Sequence, residues 1–148
     1  MAERPSKEAL EEGSAFTPVY NADGLIPAIA IDAANRAVLM VAWMNAEAVE
    51  ATLTTGVVHY FSRSRGRLWR KGEVSGEEQR LVEMRTDCDQ DAIVVTVEVL
   101  GRGATCHTGR STCFYRRVER GPDAGEHRLS FTGEEPLFDP EEVYGAKG

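Results

Sequence analysis

The chain has 148 residues, enough for one domain to close a hydrophobic core without staples. Apolar residues make up 42% and charged residues 28%, an ordinary soluble-protein balance, and apolar runs such as AVLMVAWM (37–44) are too short to span a bilayer. A net charge of −7 argues against non-specific nucleic-acid binding, and the charged start MAERPSKEALEEGS lacks the apolar core of a secretory signal, so the expected compartment is the cytoplasm.

Residues 1–15 read as a leader, mobile or loosely docked, in which EALEEG can form a turn of helix. Residues 25–32 (LIPAIAID) and 36–44 (RAVLMVAWM) read as two strands joined by a turn, apolar enough to be buried on both faces. Residues 45–56 (NAEAVEATLTTG) form the clearest helix. Asn45 caps it, Val49 and Leu53 share a face, and Gly56 ends it. Residues 57–64 (VVHYFSRS) are the next strand, turning at Gly66 into RLWRKG; His59 sits in it as a structural residue. Residues 79–87 (QRLVEMRTD) alternate, setting Val82 and Met84 against Leu81, Glu83 and Arg85. Residues 92–101 (AIVVTVEVLG) are the strongest strand, 101–112 must be a glycine-rich loop, and 113–119 (CFYRRVE) return as a strand. The polar remainder has a short helix at 139–145. Together these predict one α+β domain at 16–120, mostly antiparallel, with a peripheral tail at 121–148.

Three groups of residues carry chemistry. Between Phe61 and Gly72 (FSRSRGRLWRKG) lie four arginines, one lysine and no acid, an island suited to a small anionic ligand. The three cysteines, Cys88, Cys106 and Cys113, are an odd number without a secretion signal, which points to metal or catalysis rather than disulfides. Thiolates are soft ligands that select zinc, and three of them would leave a catalytic zinc its open position. Asp87, Asp89 and Asp91 alternate in TDCDQD. If that stretch is extended, they share one face as a hard oxygen cluster suited to magnesium while Cys88 faces away. Its partner thiols come either from the same chain or from a second subunit.

LWRKGEVSGEEQ (68–79), DCDQD (87–91) and CHTGRSTCF (106–114), in this order and spacing, resemble the phosphoribosyl-AMP cyclohydrolase family of histidine biosynthesis; LMVAWMN (39–45) and YFSRSR (60–65) also fit. The resemblance covers about residues 20–116. It implies zinc on Cys88, Cys106 and Cys113, shared between the subunits of a homodimer, and magnesium on Asp87, Asp89 and Asp91. Val74, Glu77 and Thr112 depart from the family's usual residues, and an inward-pointing Glu77 would oppose phosphate binding. Some relatives carry a fused pyrophosphatase domain, an activity expected to reside elsewhere for a chain of this length.

The implied substrate is N1-(5-phosphoribosyl)-AMP, whose ring opens by water addition at C6 and breakage of N1–C6. Zinc would lower the pKa of a water from about 15.7 towards about 7. His107, next to a thiol ligand, is the candidate for proton transfer. Arg63, Arg65 and Lys71 are the expected phosphate contacts, with hydroxyls from Ser62, Ser64 and Ser75. Trp69 stacks on the base or belongs to the core. The competing function is a non-catalytic zinc-stabilised module whose basic hairpin docks an anionic partner. A thiol redox protein is disfavoured by the lack of CxxC.

Overall fold

In the computed structural model, which describes residues 4–145, the chain runs α1 (Lys7–Glu12), β1 (Ile26–Asp32), β2 (Val38–Met44), α2 (Ala46–Thr55), β3 (His59–Ser62) and β4 (Arg67–Arg70). It continues through β5 (Gln79–Thr86), β6 (Ile93–Val99), β7 (Arg116–Glu119), β8 (Arg128–Phe131) and α3 (Pro140–Tyr144). Residues 1–3 of the leader and 146–148 of the tail lie outside the described residues. No helix among the described residues is long and apolar enough to cross a membrane.

The central sheet has the order β2-β1-β6-β5, and two hairpins, β3-β4 and β7-β8, stand outside it. Only the middle pair, β1 and β6, is parallel; every other pairing is antiparallel, so the expected α+β class with mostly antiparallel strands holds. The parallel pair needs a long crossover. That crossover carries α2, β3, β4 and β5.

Alternate residues of the two central strands, Ile26, Ala28 and Ala30 with Ile93, Val95 and Val97, are fully buried in one cluster with Ala48 and Val49 of α2 and with Val58 and Tyr60. Burial is one-sided. Pro27, Ile29 and Ile31 are only half-buried, and Val38 and Val41 are exposed, so the expectation that both strands are buried on two faces fails. The covering elements, α2 and the β3–β4 hairpin, pack into a single cluster, and an antiparallel-dominated sheet needs only one covered face.

The Asn45 side chain accepts the Ala48 N–H at 2.8 Å, and Gly56 closes α2 in the left-handed region, as its caps predict. Its buried face is Ala48, Val49 and Thr52; Leu53, expected beside Val49, is 43% exposed. Thr52 takes that place because its hydroxyl accepts the His59 N–H at 2.9 Å, tying α2 to β3. In β5 a bulge at Val82 shifts the register between Leu81 and Glu83. Leu81 and Met84 therefore pack on the core and Val82 is exposed, which corrects the expected pairing of Val82 with Met84.

The strand expected at 113–119 begins only at Arg116, because Cys113 gives its N–H to Leu39 of β2 and Phe114 gives its N–H to the Thr112 hydroxyl. Its partner β8 in the tail was not anticipated.

The leader is fastened at one residue. Gln90, buried and with a φ of 57°, accepts the Thr17 N–H on Oε1 at 2.8 Å and donates from Nε2 to the carbonyls of Leu10 and Ala15. Its own carbonyl takes the Val19 N–H at 2.7 Å. Gln90→Ala should cost about 1–3 kcal/mol in urea unfolding and expose the bond after Lys7 to trypsin. Unchanged stability together with unchanged digestion would contradict this tether.

Candidate active site

The loop after β6 brings two thiols together. Cys106 is buried, its N–H donates to the Arg110 carbonyl and its own carbonyl accepts the Gly109 N–H, each at 2.9 Å, closing a tight turn. The Thr108 hydroxyl donates to Cys106 Sγ at 3.2 Å. Cys113 is pinned to the sheet through Leu39, while the Thr112 hydroxyl donates to the Val38 carbonyl at 2.8 Å. Cys113 is exposed as a residue, but desolvation of its thiol pushes it up to about 12 and neighbouring Cys106 pushes the same way, so holding this pair as thiolates calls for a cation.

A cation that interacts with this pair is Lys71. It is 8% exposed, lies at the end of the basic hairpin, and donates from Nζ to the Thr105 carbonyl at 2.6 Å. Burial lowers its pKa, opposed by Cys113, Cys106 and Glu77. Beside it opens a cavity of about 430 Å³ lined by Ser62, Ser64, Arg65, Trp69, Lys71, Ser75, His107 and Cys113, so most of the expected binding residues meet in one place. Arg63 does not. It lies over the Trp43 ring at 5.1 Å, because the tight turn between β3 and β4 breaks the alternation that would have aligned it with Arg65.

Trp69 packs on the core, tilted against Tyr60 at 5.2 Å, and also lines the cavity. His59 is structural, with Nδ1 at 2.7 Å from the Val57 carbonyl. Arg67 and Arg70 of the basic island line the cavity too, and Met40, Thr105 and Tyr144 are among the lining residues that the sequence reading did not single out. Arg67 pairs with Glu73 and Arg70 with Glu78, whereas Arg65 has no carboxylate within ion-pair reach among the described residues. The Thr105 hydroxyl is buried with no hydrogen-bond partner among them.

Glu77 is fully buried but does not line the cavity. Its Oε1 accepts Arg102 Nε at 2.8 Å and its Oε2 accepts the Gly103 N–H at 3.0 Å, so the carboxylate fixes the start of the thiol loop. A Cβ on Gly101 would meet Glu77 Oε2 at 2.5 Å, which explains a glycine there. Glu77 thus stands outside the cavity lining with its charge paired by Arg102.

The acidic stretch lies elsewhere. Residues 87–91 form a turn, so the argument from strand alternation does not apply. Asp87 Oδ1 accepts the N–H groups of Asp91 and Ala92 at 2.9 and 3.2 Å, and this turn brings carboxylate oxygens of Asp87, Asp89 and Asp91 within 4.8 Å of one another. The carboxyls are exposed, yet hydrogen bonding with Asp87 and Asp89 raises Asp91 to about 6. Desolvation works against Asp87, but bonds from Asp91 and Ala92 outweigh it and hold its pKa below the ordinary value. Cys88 lines a separate 380 Å³ pocket between this turn and the leader.

Cys88 therefore does not join Cys106 and Cys113 within one chain; among the described residues the three aspartates are the only potential ligand cluster of three. The reason is topological. The acidic turn joins β5 to the start of β6, and the thiol loop leaves the far end of β6.

A sequence model described as phosphoribosyl-AMP cyclohydrolase matches residues 40–115. A protein of that name from Nitrobacter hamburgensis is 56% identical over 142 residues, covering 96% of this chain and 95% of its own. One from Sinorhizobium medicae is 57% identical, covering 94% and 91%, and one from Nitrobacter winogradskyi is 55% identical, covering 99% of both.

The asymmetry of the Glu77–Arg102 pair predicts unequal losses. Arg102→Ala strands a fully buried carboxylate and should cost about 3–5 kcal/mol. Glu77→Gln keeps the shape and leaves a 43% exposed guanidinium that water can reach, so it should cost only about 1–2 kcal/mol. Denaturant unfolding of both variants tests this order, and equal losses would refute it.

Proposed function

The chain belongs to the phosphoribosyl-AMP cyclohydrolase family, and on that premise we propose that its 430 Å³ cavity binds N1-(5-phosphoribosyl)-AMP and opens the adenine ring by hydrolysis in histidine biosynthesis. The supporting observation is that Lys71 and Ser75 from one motif and His107 and Cys113 from another line one cavity. Arg65 and Lys71, with the hydroxyls of Ser62, Ser64 and Ser75, hold the phosphates; Arg63 would have to leave Trp43 to join them. Trp69 flanks the base. His107 moves a proton to N1 as the N1–C6 bond breaks and oxygen bonds to C6, completing net addition of water. The compartment is the cytoplasm.

The donor atoms fit two metals. Three converging carboxylates at the acidic turn suit magnesium, a hard ion that keeps several waters. Cys106 and Cys113 suit zinc, and an ion bound there supplies the acidified water that ring hydration needs. A third thiol requires Cys88 of a second copy, so the working form is a homodimer with zinc ligands from both subunits. Exposed Val38, Val41 and Val82 leave apolar surface on the sheet for such a partner.

Incubation with phosphoribosyl-AMP in the presence of zinc and magnesium should yield the opened imidazole carboxamide product, followed by absorbance; no turnover would refute the reading. Cys106→Ala should lose bound zinc and activity together, while Asp89→Asn should alter magnesium dependence at unchanged zinc content. Subunit sharing has its own test. Cys88→Ala and Cys106→Ala, each inactive, should regain about a quarter of wild-type activity when unfolded and refolded as a mixture, because half the dimers then hold one intact site. No recovery would place all three thiols in one chain.

A further inference from the structure

Segments beyond the family-matched region reach the cavity. The matched region ends at residue 115, yet residues 134–144 strap the thiol loop from outside. Arg110 Nε donates to the Glu134 carbonyl at 3.1 Å, and the Leu137 N–H donates to the Gly109 carbonyl at 2.7 Å. A Cβ on Gly109, which has a φ of +89°, would meet the Phe138 carbonyl at 2.5 Å, so the strap presses on a position that only glycine can supply. Phe138 is buried, with the Arg102 guanidinium 4.3 Å over its ring. Phe138 in turn seats Tyr144, ring centroids 6.1 Å apart and tilted by 59°.

Tyr144 lines the same cavity as Lys71 and His107. Two aromatic rings border that space, and they differ in what they have left to offer. Trp69 is engaged by Tyr60 at 5.2 Å and by the Lys71 ammonium at 5.8 Å. Tyr144, seated against Phe138, remains 44% exposed. The ligand in question carries ribose on N1, which makes its planar base amidinium-like. Such a base is attracted to an aromatic face, whereas the surrounding arginines and lysine repel it.

We propose that Tyr144, presented by the C-terminal strap, is a substrate-binding residue whose ring packs on the purine base. This rests on the cavity being the phosphoribosyl-AMP site. Tyr144→Ala should raise KM for phosphoribosyl-AMP about tenfold with kcat changed less than about twofold, and Tyr144→Phe should restore the wild-type KM because the ring, not the hydroxyl, makes the contact. Phe138→Ala keeps Tyr144 in the sequence but removes its seat, and should reproduce the rise in KM. A wild-type KM in Tyr144→Ala, a Tyr144→Phe variant as weak as the alanine, or a wild-type KM in Phe138→Ala would each overturn the proposal while the wild-type enzyme still turns over. Failure of the wild-type enzyme itself would instead bring down the functional reading, and the proposal with it.

Discussion

The antiparallel pairing of β5 with β6 decides where chemistry can occur in this chain. It runs from Gln79 opposite Val99 to Thr86 opposite Ile93, so the acidic turn sits at one end of β6 and the thiol loop leaves from the other. Seven residues at about 3.3 Å each keep the two ends roughly 20 Å apart. A zinc–thiolate bond is about 2.3 Å long, and no choice of rotamer closes such a gap. The parallel β1–β6 pair reinforces the division, because it sets Leu39 of β2 at the same end as the thiol loop. Cys113 is then fixed beside Cys106 by a backbone hydrogen bond to that residue.

The two ends manage charge in opposite ways. At the thiol end, Lys71 and Glu77 are both buried, and each has a specific partner in the Thr105 carbonyl or in Arg102 and the Gly103 N–H. Buried ions without such partners would cost several kcal/mol each, so this network holds the basic hairpin and the thiol loop in one arrangement. At the acidic end the carboxyls remain in water, and no comparable desolvation cost arises. Their crowding shows instead as the raised pKa of Asp91. The soft thiol pair, of which Cys106 is buried and Cys113 exposed, and the hard, exposed triplet thus suit ions of different character.

What the sequence made legible was mostly local. The caps of α2 and the β-branched run of β6 each lie within a dozen residues, and both formed as their patterns imply. Hydrogen bonds of the loop backbone and an irregular register produced the misreadings. The thiol loop extends past Cys113 because its N–H groups go to β2 and to Thr112, and a bulge at Val82 exchanges which residues of β5 meet the core. β8 left no burial signal at all, since Arg128, Leu129 and Phe131 are exposed. The same holds for the site. Residue types revealed the thiols, the acids and the basic island, but neither the choice of Arg65 over Arg63 nor the arrival of Tyr144 from the tail is written in any local pattern.

The acidic run before β6 can now be understood through symmetry. Asp87, Asp89, Asp91 and Cys88 form an exposed, negative end, while Arg65, Lys71, Cys106 and Cys113 form a basic one. A single copy cannot bring its own two ends together, but in the proposed dimer a two-fold pairing would set the acidic end of each copy against the basic end of the other. Two-fold interfaces are reciprocal, so one such contact generates two equal sites at once. Opposite charges favour that register over one that joins like ends. In the dimer proposed for this chain, the distance that keeps the thiols apart within a subunit makes zinc loading conditional on assembly. On that proposal a lone subunit would offer only two of the three thiols, so the topology of β5 and β6 would link the fold of each monomer to the completeness of the site.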